Sequence, residues 1–69
     1  LSYAINTEAI KKLRHEHQLT LAEVASAIGL TRADQYLRLE NGQYQFKATE
    51  LPALAHLYEV PIETFFIEY

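Results

Sequence analysis

The sequence predicts an all-α domain of five short helices. Three observations carry that reading. Apolar residues recur at the i, i+3, i+4 spacing of a buried helix face, and no stretch alternates apolar with polar as a half-buried strand does. Helix start signals precede the apolar stripes. Two glycines and two prolines are all that punctuate the 69 residues, so the connections are tight.

The first helix is expected from about Thr7 to His17. Asn6 or Thr7 caps it, and Glu8 lies in its positive first turn. Ile10 and Leu13 face the core, with Ala9 and Leu19 at its margins and Lys11, Lys12 and Glu16 outward. The second helix runs from Leu21 to Ile28. Thr20 followed by Glu23 forms a capping box, in which each side chain satisfies the other's backbone N–H. Leu21, Val24, Ala25 and Ile28 share a stripe, while Ala22, Ala25 and Ala27 keep the helix thin enough for close approach. Gly29 ends it, because glycine adopts the left-handed conformation at low cost.

The third helix starts near Thr31, whose hydroxyl is expected to cap it, and stops at Asn41-Gly42. Tyr36 and Leu39 share its inner face. After a loop from Gln43 to Ala48, Thr49 opens the fourth helix, which extends to about Tyr58. Pro52 falls among the first helical amides, which need no intrahelical partner. Leu51, Leu54, Ala55 and Tyr58 form its stripe. Pro61 then begins a short fifth helix anchored by Ile62, Phe65 and Phe66.

A chain of 69 residues allows one domain, and one this small has little surface to bury. Its 49% hydrophobic content is enough for a single core. Without cysteine it has no disulfide and no thiolate metal site. No apolar run approaches the roughly 18 residues of a membrane span, and no signal peptide is visible. The first residue is Leu, not Met, which leads us to expect a piece of a longer protein. The net charge of −3 is uneven. In residues 1–47, Lys11, Lys12, Arg14, Arg32, Arg38 and Lys47 outnumber Glu8, Glu16, Glu23, Asp34 and Glu40 by one. In residues 48–69, Glu50, Glu59, Glu63 and Glu68 stand unopposed. Any basic face belongs to the first two thirds of the chain, and its field is weak for a nucleic-acid binder.

"LTLAEVASAIGL", the helix ending in "RLENG", and "KATELPALAHLYEVPIETFF" together resemble the phage-repressor (Cro/XRE-type) helix-turn-helix family. The likeness runs from about Ile10 to Phe66. It implies a compact five-helix, lambda-repressor-like domain over residues 1–69, with a second helix at about 21–28 and a recognition helix at about 32–41. The recognition helix would dock in the DNA major groove, with the second helix across the backbone and its N-terminus near a phosphate. The resemblance also implies an ion pair between an arginine late in the first helix and the glutamate closing the third, here Arg14 and Glu40. Two departures stand out. The stretch from Gly29 to Glu40 is one residue longer than usual, and Leu21 replaces a glutamine that commonly touches phosphate.

Candidate DNA-binding residues are Thr31, Arg32, Asp34, Gln35, Arg38, Gln43, Tyr44 and Lys47. Arg32 and Arg38 have the donor geometry for guanine or phosphate, against the plain alternative of solvated surface arginines. Arg38 has a further alternative, pairing with Asp34 at i, i+4. Gln35 suits an adenine edge or is an exposed helix former. Asp34 stabilises the helix start or accepts from a cytosine amino group. Thr31 caps or touches phosphate. Gln43, Tyr44 and Lys47 sit in a loop placed to donate to phosphates, with Phe46 buried beneath it. Leu37 widens the core stripe or touches a thymine methyl, the core being favoured, and Tyr36 is core.

His15, His17 and His56 do not combine into a metal site, since His15 and His17 point to different sides of a helix. No cofactor, small-molecule ligand or catalytic group is expected. The expected activity is that of a cytoplasmic transcriptional regulator, nucleoid-associated when bound to DNA. It would be a repressor that occludes a palindromic operator as a homodimer on double-stranded DNA. The alternative is a protein-interaction module for a toxin or coregulator, which the acidic C-terminal third and Leu21 favour.

Overall fold

The computed structural model describes residues 1–69. Four α-helices form in chain order: α1 Thr7–Glu16, α2 Leu21–Ala27, α3 Ala33–Glu40 and α4 Glu50–Tyr58. Before α1 lies a short strand, β1 (Tyr3–Ile5). After α4 come a 3-10 helix, Ile62–Phe65, and a second strand, β2 (Phe66–Glu68). No helix is long and apolar enough to cross a membrane.

The expected fifth α-helix is therefore replaced. Pro61 stands before the 3-10 turn in an extended conformation, not inside a helix. The chain then straightens at Phe66 and pairs antiparallel with β1, in the register Tyr3↔Glu68, Ala4↔Ile67 and Ile5↔Phe66. Ser2 and Tyr69 add two backbone bonds beyond the strands, at 2.9 and 2.8 Å. Successive strand residues point to opposite faces. Ile5 and Phe66 thus turn together against the helical core, while Ile67 and Tyr69 stay exposed.

The core follows the predicted stripes. Ile10, Val24, Ala25, Ile28, Tyr36, Leu51, Leu54, Ala55, Tyr58 and Phe65 form one buried cluster. α2 packs chiefly on α3. Of the three alanines on α2, only Ala25 faces inward; Ala22 and Ala27 are exposed. Phe46 is half-buried and meets Tyr36 edge-on, with ring centroids 6.4 Å apart. The Tyr36 and Tyr58 hydroxyls lie 3.5 Å apart in the core, and burial pushes both phenols above their ordinary pKa. Leu37 departs from expectation: it is 37% exposed on the outer side of α3. The inner face there is already filled by Tyr36, Leu39 and Glu40.

Helix ends show how local chemistry sets the boundaries. The Asn6 side chain accepts from Ala9 N at 3.1 Å and starts α1. At α2 the capping box is complete: Glu23 N donates to Thr20 Oγ1 at 3.1 Å, and Thr20 N donates to Glu23 Oε1 at 2.8 Å. α3 is capped otherwise than expected. Arg32, not Thr31, is its N-cap, and Gln35 Oε1 accepts from Arg32 N at 3.0 Å and from Thr31 N at 3.1 Å. The Thr31 hydroxyl also donates to Gln35 Oε1, at 3.2 Å, so it caps nothing itself. Thr49 precedes α4 without a side-chain cap. Instead the buried Glu50 carboxylate accepts from Lys47 N at 2.7 Å. Gly29 (φ 87°) closes α2 in the left-handed region, whereas at α4 that conformation falls to Glu59 (φ 56°).

Arg14 fastens these pieces. Its Nε donates to Glu40 Oε2 at 2.9 Å and its Nη2 to Glu40 Oε1 at 3.0 Å, while Nη1 donates to the Leu19 carbonyl at 3.1 Å. The Glu40 side chain is 1% exposed and that of Arg14 12%. The hydrogen bonds to Glu40 raise the guanidinium's pKa still further. One side chain thereby joins α1, the α1–α2 turn and the end of α3.

Arg14→Ala leaves the Glu40 carboxylate buried without its cation and is expected to cost about 3–5 kcal/mol, read as a lower urea midpoint. The double variant Arg14→Met, Glu40→Leu removes both charges and is expected to recover much of that loss. Glu59→Gly relieves a left-handed residue that carries a Cβ and is expected to stabilise by about 0.5–1 kcal/mol, seen as a higher melting temperature.

Stability should also depend on pH at Glu23. The backbone N–H and hydroxyl of Thr20 hold this carboxylate below its ordinary value of 4.5. A carboxylate whose pKa is depressed by folding contributes stability above its unfolded value and loses it as pH falls through the folded one. Between about pH 6 and about pH 3, the urea midpoint of wild type is expected to fall more steeply than that of Glu23→Gln.

Candidate nucleic-acid interface

The outward face of α3 is set by what its inner face must bury. At about 100° per residue, Tyr36, Leu39 and Glu40 point inward, which puts Asp34 and Arg38 at the centre of the opposite side. Gln35 lies on one flank and Leu37 on the other. Gly29 turns the chain between α2 and α3, and the Arg14–Glu40 pair pins the far end of α3 to α1. α3 is thus held at both ends, by its packing on α2 and by the ion pair to α1. The C-terminal segment runs to β1, not across this face.

Asp34 organises the first half of the face. Arg32 Nε donates to Asp34 Oδ1 at 2.8 Å and Arg32 Nη2 to Asp34 Oδ2 at 2.7 Å. From the other side, Arg38 Nη1 stands 3.8 Å from Asp34 Oδ2, one helical turn along. The bonds from Arg32 hold the Asp34 carboxyl below its ordinary pKa. Asp34 therefore lies between the two arginines and partly neutralises both. It also sits in the first turn of α3, where a negative charge is favoured.

The second half joins the helix to the loop. The Arg38 carbonyl accepts from Gln43 N at 2.9 Å and from Tyr44 N at 3.2 Å. The Arg38 guanidinium lies 5.7 Å from the Tyr44 ring centroid, within cation–π range. Gln35, Tyr44, Lys47 and Glu50 border one shallow depression beside α3. Thr31, Arg32, Gln35, Arg38, Gln43, Tyr44 and Lys47 are all exposed, and Asp34 is half-buried.

Two positions beside the face already hold bonds within the protein. A two-point contact with adenine needs both the oxygen and the amide of a glutamine side chain. The Gln35 oxygen is already bonded to Thr31 and Arg32, so its first role is to cap α3. The N-terminus of α2, where the resemblance implies a phosphate, has the Glu23 carboxylate on Thr20 N.

The Arg32–Asp34 pair spans the boundary where α3 begins. Arg32 is extended (φ −137°, ψ 144°), so helical spacing does not describe this pair. The pattern Arg-x-Asp at a helix start was the available signal. The histidines hold separate places: His17 Nδ1 is 2.9 Å from the Leu13 carbonyl and its ring tilts against Tyr58, while His15 Nε2 is 3.4 Å from Arg14 Nη2.

No curated protein and no solved structure matches the chain. A family model described as a helix-turn-helix domain matches residues 7–69, which takes in all four helices and β2. The α2–turn–α3 pair on its buried ion-pair anchor and the extent of this match lead to one assignment: the chain belongs to the helix-turn-helix domain family, of Cro/XRE type.

Proposed function

We propose that the protein is a sequence-specific, double-stranded-DNA-binding transcriptional regulator, a repressor that occludes a palindromic operator as a homodimer. The observation that carries this reading is the uncovered outer face of α3, where the Arg32 and Arg38 side chains are 68% and 47% exposed. A helix about 10–12 Å across with its side chains enters a major groove about 12 Å wide. Thr31, Arg32, Asp34, Gln35 and Arg38 would meet the groove, while Gln43, Tyr44 and Lys47 would lie along the phosphates. Two copies would set their α3 helices about 34 Å apart on one side of the duplex.

The weak net field explains why a dimer is needed. Asp34 offsets one of the two cations at the centre of the face, and the chain as a whole carries −3. A second reading, a protein-interaction module for a toxin or coregulator, draws on the same two facts. Selection from a randomised duplex library separates the two. DNA binding predicts an enriched inverted repeat at low salt, whereas the interaction module predicts no enrichment. Arg38→Ala is expected to weaken binding to the enriched duplex about 5- to 150-fold if it contacts a base, with its fold retained by circular dichroism. A dimer that neutralises about six phosphates gives a log–log salt slope near −5.

A further inference from the structure

Arg14 and Arg32 both grip a carboxylate through Nε and Nη2, but their free donors differ. Arg14 turns its remaining nitrogen, Nη1, onto the Leu19 carbonyl. Arg32 bonds only to Asp34. A guanidinium carries five N–H donors; with two engaged by Asp34, three are left. Two of these lie parallel on the end edge formed by Nη1 and Nη2. That edge has no protein partner, and its two parallel donors match guanine O6 and N7.

Both ends of Arg32 are held. Gln35 Oε1 fixes its backbone N–H at 3.0 Å, and Asp34 fixes its head at 2.7 and 2.8 Å. Arg38, on the following turn, stands 3.8 Å from the same carboxylate. An unrestrained surface arginine must surrender rotamer freedom when it binds, whereas one already oriented loses less.

We infer that Asp34 is a positioning, specificity-determining residue: it holds Arg32 so that the free Nη edge reads one guanine in each half-site. The inference rests on the DNA-binding role proposed above. Asp34 acts a second time through its charge, which opposes phosphate and lowers affinity for duplexes of any sequence. The two effects work together, one sharpening the matched contact and the other weakening unmatched ones. The pair is intact at neutral pH, where Asp34 is ionised.

The test uses the full chain and the duplex enriched from the library, with 7-deazaguanine replacing each half-site guanine in turn. This base lacks the N7 acceptor. Wild type is expected to lose about fivefold or more in affinity at one guanine per half-site. Arg32→Ala is expected to bind the guanine and 7-deazaguanine duplexes alike. Asp34→Ala keeps Arg32, yet its 7-deazaguanine penalty is expected to shrink at that same base while affinity for an unrelated duplex rises. A general structural defect would lower both affinities instead, and thermal melts of each variant report on the fold. A full penalty retained in Asp34→Ala overturns this role alone. A wild-type chain that enriches no duplex overturns the DNA reading and this role with it.

Discussion

The buried pair between Arg14 and Glu40 is the constraint on which the arrangement depends. Glu40 closes α3 with its carboxylate inside the protein, a position no carboxylate tolerates without a partner. Arg14 meets both carboxylate oxygens and carries a further bond to Leu19. One planar, directional group thus ties α1 and the turn that follows it to the far end of α3. Apolar packing between α2 and α3 supplies attraction without fixing how far α3 slides or rolls. The ion pair supplies that missing specification, so the outer side of α3 faces solvent in one orientation.

Two arginines in one small domain illustrate how the surroundings of a side chain decide its role. Arg14 is enclosed and its fork is occupied, which suits a fastening. Arg32 is open at one edge and restrained at the other, which suits recognition. The acidic character of the chain is compatible with that division. Glu40 and Glu50 are buried and bonded, Glu23 is used at the start of α2, and Asp34 is set between cations. Several negative charges are thus committed to structure, and a net count overstates what an approaching phosphate meets.

Much of the helical part was legible because its signals are local. Thr20 and Glu23 announce α2, Gly29 ends it, and the stripes Val24-Ala25-Ile28 and Leu51-Leu54-Ala55-Tyr58 become core. The terminal sheet was not legible. Each strand has three residues, too few for alternation to register, and the partners lie at opposite ends of the chain. Segments that short take their conformation from pairing, not from propensity. The cap of α3 differs from expectation because Gln35, from inside the helix, reaches back to the Thr31 and Arg32 N–H groups and also takes the Thr31 hydroxyl, which is then not turned to the helix amides. At the candidate site, the exposure of Gln35 and Arg38 followed from the helical wheel. The Arg32–Asp34 grip did not, since it forms where the helix has not yet begun.

The pairing of β1 with β2 makes the backbone almost a closed ring. Ser2 and Tyr69 exchange hydrogen bonds across the seam, and every helix lies within the circuit it completes. Closing so long a circuit carries an entropic cost that rises only slowly with its length. The seam has a dry side and a wet side: Ile5 and Phe66 lie against the core, while Tyr3, Ile67 and Tyr69 are exposed. The helices have their own fastening, the Arg14–Glu40 pair, which does not involve the seam.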